Sequence, residues 1–123
     1  MADRGNSRVQ VFTLDGKYVT QVFINRADKS AATACGLALS SDPQQQFLYV
    51  SDFGNGHLWI VDRKTLAVVG HFGELGTEPG NFRNTHHITT DSHGNLYTAE
   101  VSPGSRVQKF VFKGIKASTT AAR

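Results

Sequence analysis

Apolar and polar positions along this chain alternate with a period of two. Val9, Val11 and Thr13 interleave with Gln10, Phe12 and Leu14, and Asp15-Gly16 then supplies residues tolerant of positive φ before Tyr18 to Phe23 resume the alternation. The pattern predicts a hairpin. Further on, Gly36 to Leu39, Phe47 to Ser51, His57 to Val61 and Ala67 to Phe72 are four short apolar runs separated by Ser-Asp-Pro, Gly-Asn-Gly and Arg-Lys-Thr turns. About nine strands are expected in all, with no helix longer than one or two turns.

The pattern repeats. Asp3-Arg4-Gly5-Asn6-Ser7-Arg8-Val9-Gln10-Val11-Phe12 aligns with Asp52-Phe53-Gly54-Asn55-Gly56-His57-Leu58-Trp59-Ile60-Val61 at an offset of 49 residues. A third copy runs from Glu100 to Phe110, where Arg106-Val107-Gln108 repeats Arg8-Val9-Gln10 at twice that offset. Upstream, Phe47-Leu48-Tyr49-Val50-Ser51-Asp52 matches Gly94-Asn95-Leu96-Tyr97-Thr98-Ala99-Glu100 at its Leu-Tyr core. Four strands per period make each unit a small antiparallel sheet with two apolar faces. Such a unit buries them only by stacking on its neighbours, the logic of a β-propeller.

These residues carry a family resemblance. Asp-x-Gly-Asn-x-Arg-Val-Gln-Val-Phe in the first copy resembles NHL repeats. So does Asp91-Ser92-His93-Gly94-Asn95-Leu96-Tyr97-Thr98-Ala99-Glu100 followed by Ser105-Arg106-Val107-Gln108-Lys109-Phe110 in the third. The stretch Gly73-Glu74-Leu75-Gly76, Pro79-Gly80-Asn81-Phe82, His86-His87-Ile88 and Val107-Gln108-Lys109-Phe110 is similar to the C-terminal blades of bacterial six-bladed propellers related to peptidyl-α-hydroxyglycine α-amidating lyase. The fold class this implies is all-β, a partial β-propeller of NHL type with about two and a half four-stranded blades. Blades are expected at residues 1–25, 35–72 and 85–113 within a propeller region 1–114, followed by a loose tail at 115–123. Met1-Ala2-Asp3 takes the place of Val50-Ser51-Asp52, so the first blade is expected to hold only its outer two strands. A ring closed from this one chain is excluded by its length.

Composition narrows the classes. The 123 residues carry 13 Lys plus Arg against 10 Asp plus Glu, a net charge of +3 spread thinly from Arg4 to Arg123. No run approaches the roughly 20 apolar residues of a membrane-spanning helix, and Met1-Ala2-Asp3-Arg4 lacks the apolar stretch of a secretory signal. The localisation stays open. One cysteine, Cys35, excludes an intramolecular disulfide framework and a multi-cysteine zinc module. RNA binding by some NHL propellers uses a basic face bearing aromatics. Here Arg4, Arg8, Lys17, Arg26 and Arg106 are interleaved with Asp3, Asp15 and Asp28, which argues against nucleic acid as a partner.

In a propeller the innermost strand of each blade faces the channel. His86 begins such a strand in the third blade and Cys35 the equivalent strand in the second. The resemblance to the amidating lyase implies a zinc-ligand role for His86, one of three histidines on different blades. His87 and Cys35 are channel or binding-face candidates. Two bland readings stand beside this: His86 and His87 as polar channel residues satisfied by backbone or water, and Cys35 as a small buried residue. Adjacent strand residues point to opposite faces, so His86 and His87 are not expected to chelate one ion together. Zinc needs further ligands from other blades to complete the channel. His57 takes the repeat position of Arg8 and Arg106, while His71 and His93 are expected in solvent. Asp3, Asp52 and Glu100 recur at a strand-to-turn junction and are read as turn anchors. Tyr49, Tyr97, Phe12, Trp59, Phe72 and Phe110 are expected to form the core between blades.

No glycine-rich phosphate loop and no Gly-x-Ser-x-Gly elbow occurs. The functional expectation is a non-catalytic interaction module with a protein or peptide ligand. Self-association, or pairing with the missing blades, is a further expected association. The alternative is a fragment of a zinc-dependent lyase-like enzyme.

Overall fold

A computed structural model describes residues 1–27 and 32–115. Of the tail expected at 115–123, residues 116–123 lie outside the described residues, as does Asp28. The fold is all-β. Among the described residues, ten strands form three antiparallel sheets, ordered β1-β2-β3, β4-β5-β6-β7 and β10-β9-β8. The first sheet holds β1 (Ala2–Asp3), β2 (Arg8–Phe12) and β3 (Tyr18–Phe23). The second holds β4 (Ala34–Leu39), β5 (Phe47–Asp52), β6 (Leu58–Asp62) and β7 (Val68–Phe72), and the third β8 (Thr85–Thr90), β9 (Leu96–Glu100) and β10 (Arg106–Phe110). One 3-10 turn, Arg4–Asn6, links β1 to β2. The two-residue β1 pairs with β2 at Ala2 and Val9. This pairing is the equivalent of Ser51 against Leu58 in the second sheet, in keeping with the alignment of Met1-Ala2-Asp3 with Val50-Ser51-Asp52.

The sheets stack as partial propeller blades. β4 lies against β8, and β1 against β4. Alternation gives each central strand two buried faces. Leu48, Val50 and Val61 of the second sheet meet Val9 and Ile24 of the first, with Ala34 completing the cluster. On the other face Leu58, Tyr49 and Phe72 meet Ile88, Leu96, Phe82 and Phe110. Phe72, Phe82 and Phe110 form a three-ring cluster with centroids 5.2 to 5.9 Å apart.

The repeat makes the two ends of the stack legible. Val9, Leu58 and Val107 hold one repeat position in the three sheets. Val9 is 2% exposed and Leu58 0%, because the following sheet covers each, whereas Val107 is 71% exposed. Two of the predicted core aromatics therefore lie elsewhere. Phe12 is 37% exposed and packs edge-on against Tyr18. Tyr97 is only half-buried, donating its hydroxyl to Asp91 at 3.0 Å with the Lys109 ammonium over its ring. Both belong to sheets that, among the described residues, have a neighbouring sheet on one side only. The last strand ends at Phe110, and the Phe112 N–H donates back to Asn95 Oδ1 at 3.0 Å.

Candidate functional site

The same β-bulge opens β4 and β8. Ala34 faces Asp52 and Leu37 faces Val50, so Cys35 and Gly36 together oppose Ser51. In β8, Thr85 faces Glu100 and His87 faces Ala99, leaving His86 as the extra residue. Cys35 and His86 are thus structural equivalents, as their repeat positions predict. The bulge also corrects the expectation that His86 and His87 point apart. It suspends the alternation, and their Nδ1 atoms lie 2.8 Å from each other, with ring centroids 4.6 Å apart. That hydrogen bond needs one nitrogen carrying a proton and the other free to accept it.

Residues of all three sheets meet at this end of the stack. Arg4, in the turn after β1, places its guanidinium 4.7 Å from the centre of the Phe53 ring, just past β5. Phe53 in turn meets the His86 ring edge-to-face at 6.0 Å. Burial pushes the half-buried Cys35 thiol above its ordinary value, against the neighbouring Arg4, which pulls it down both by charge and by hydrogen bonding. Sequence reasoning singled out Cys35, His86 and His87 as channel candidates, named Arg4 only among the scattered basic residues, and did not single out Phe53. The shared position of Arg4 and Phe53 just after the recurring Asp3 and Asp52 is the signal that would have found them.

The metal question can be tested on these side chains. Catalytic zinc takes three protein ligands and an open position. Among the described residues, no three His, Cys, Asp or Glu side chains are grouped to hold a metal ion. The two imidazoles do not make a zinc site by themselves, and no reaction step follows from one.

The recurring carboxylates anchor turns. Asp52 is fully buried and accepts from the Asn55 N–H at 3.2 Å and from Trp59 Nε1 at 3.0 Å. Glu100 accepts from the Arg83 N–H, Arg106 Nε and Gln108 Nε2. Asp3 is held below the usual carboxylate range by Asn6 first and then by Arg8. His57 binds the Gly73 carbonyl at 2.8 Å through Nδ1. It also stacks with Trp59 and with the exposed His71, whose ring centroid lies 4.6 Å from that of Trp59. This aromatic group is not apparent in the linear sequence.

The segment between the second and third sheets folds on itself. Gly76 N–H donates to the Phe82 carbonyl, Phe82 N–H to that of Glu74 and Asn81 N–H to that of Glu78. β10 grips this loop. Arg106 donates to the carbonyls of Thr77 and Asn81, and Gln108 both donates to Asn81 O and accepts from the Gly80 N–H. No protein-family model and no curated protein matches the sequence.

Proposed function

We propose that the chain is a partial propeller of NHL type that serves as a protein-interaction module, joining other polypeptides through the open faces of its sheet stack and without catalysis of its own. The observation that carries this is Val107, 71% exposed in a position that its repeat equivalents Val9 and Leu58 bury almost fully. Covering such a face gains roughly 25 cal/mol per Å² of apolar surface. What covers the equivalent position in the two interfaces within the chain is another antiparallel sheet, of four strands over Val9 and of three over Leu58, so the fitting partner is β-structured polypeptide.

The local engagement of the basic residues favours a protein over a nucleic acid. Arg8 pairs with Asp3, Lys17 with Asp15 and Arg106 with Glu100, while Arg4 and Arg26 sit over Phe53 and Phe23. Cations spent this way do not line a phosphate track. The second reading, a fragment of a zinc-dependent lyase-like enzyme, is favoured by one observation, the place of His86 at the bulge that opens the inner strand β8.

Panning displayed polypeptide libraries on the immobilised chain tests the module. Binders should enrich, and a charge on the open face, Val107→Asp, should weaken them by about tenfold or more. No enrichment, or binders indifferent to that change, would overturn the proposal.

A further inference from the structure

β2 carries the same Arg-Val-Gln as β10, and Phe12 stands where Phe110 stands. In the third sheet, beside their bonds to Glu100, Arg106 and Gln108 hold the loop 74–82 by its backbone, while Phe110 packs on the Phe82 ring that the loop delivers. In the first sheet, among the described residues, no such loop is present. Arg8 donates to Asp3 and Gln21, the Gln10 side chain has no hydrogen-bond partner among the described residues, and Phe12 is 37% exposed. Arg8 and Gln10 lie on the face opposite Val9, the side turned away from the second sheet.

We infer that Arg8, Gln10 and Phe12 form a docking site for a second loop of the Gly73–Phe82 type, supplied by another polypeptide. The occupant is defined by the chemistry seen at β10. It presents two backbone carbonyls, in the places of Thr77 and Asn81, to a guanidinium and a carboxamide, and a Gly N–H to that same carboxamide. It ends in a phenylalanine that buries beside an aromatic of the strand. In this chain Phe82 is 1% exposed, seated against Gly73 where a Cβ would come within 2.3 Å of its ring. A Pro-Gly-x-Phe loop suits the role because its own hydrogen bonds fix the turn before docking, which lowers the entropy lost on binding.

This site rests on the interaction-module reading and names one of its partners. The probe is an end-blocked synthetic peptide, Gly-Glu-Leu-Gly-Thr-Glu-Pro-Gly-Asn-Phe, titrated at millimolar concentration into isotope-labelled chain and followed by amide chemical shifts. Saturable shifts centred on Arg8, Gln10 and Phe12 are expected. The affinity should fall about tenfold when the peptide Phe is replaced by Ala, and by a similar factor in Gln10→Glu, which keeps the acceptor and loses the donor. Gln10→Glu is the primary variant because Arg8 also braces Asp3 and Gln21, and Arg8→Ala is read only if its spectrum stays native. No saturable binding, or equal affinity in Gln10→Glu, would overturn the site. Shifts confined to Cys35, His86 and His87 would also overturn it while leaving the module reading intact, since that reading stands or falls on the library panning.

Discussion

Gly36 backs directly onto the main chain of His86. A Cβ at Gly36 would lie 2.9 Å from the His86 carbonyl oxygen, 3.0 Å from Ser51 Oγ and 3.2 Å from His87 Cα. The glycine sets the spacing between the inner strands of the second and third sheets, and the Gly36 N–H donates to Ser51 Oγ at 2.7 Å. Two of the three neighbours are backbone, so relief requires the sheets to move. Gly36→Ala is therefore expected to cost about 1–3 kcal/mol, the range for overpacking a tight core. Chemical denaturation measures it, and an unchanged midpoint would show that the two inner strands are not in this contact.

The repeat predicts opposite outcomes at equivalent positions. Leu58→Ala removes methyl groups from a site with no exposure and should cost about 2–5 kcal/mol. Val107→Ala touches a side chain 71% exposed and should stay within about 0.5 kcal/mol. Thermal denaturation of the pair decides it. Comparable losses would mean that Val107 is covered in solution, and sedimentation of the same samples would then show association.

Much of the fold was legible because a repeat reports the same fact several times. The strands at Phe47–Asp52 and Leu96–Glu100 announce themselves by alternation and by a shared Leu-Tyr. The bulges at Cys35–Gly36 and at His86 were not legible, since they depend on which residues of β5 and β9 stand opposite. One extra residue there reversed the relation of His86 to His87. The site at the end of the stack was half legible for the same reason. Its histidines and cysteine lie on inner strands, whereas Arg4 reaches Phe53 only once two sheets are stacked. The loop-gripping pair Arg106 and Gln108 was visible as a repeat of Arg8 and Gln10, but its purpose required knowing which way the alternate face of β10 turns.

Acid should loosen the turns before it reaches the core. Asp91 is held down to about 2, first by the Asn95 side-chain amide, then by the N–H groups of Asn95 and His93 and the Tyr97 hydroxyl. A carboxylate whose folded value lies below its unfolded one contributes stability above the unfolded value and loses it as pH falls through the folded value. The ordinary value of the group is 3.8, so the loss runs from about pH 4 down to about pH 2. Asp3, Asp15, Asp42 and Asp62 are shifted in the same direction by their own turn hydrogen bonds. Carbon-detected titration of the Asp91 carboxyl should give a midpoint near 2, and Asp91→Asn should remove its share of the acid dependence. A midpoint at 3.8 would mean that the 91–97 network does not persist in solution.

The His86 and His87 pair decides between the two functional readings. Their Nδ1 atoms share a hydrogen bond at 2.8 Å, and a metal bound there must displace the bridging proton. Zinc would gain two nitrogen ligands at about 2.0–2.1 Å and take the rest of its shell from water, because no third side chain among the described residues is grouped with them. Calorimetric titration with zinc should therefore show only weak binding, falling similarly in His86→Ala and His87→Ala because each removes one of two equal donors. The lyase-like reading requires a different pattern. There His86 is a ligand completed by groups from other blades and His87 is not, so His86→Ala would abolish tight stoichiometric binding that His87→Ala retains. That asymmetry, with inductively measured zinc retained through dialysis in the wild type and lost in His86→Ala, would overturn the interaction-module proposal in favour of the enzyme.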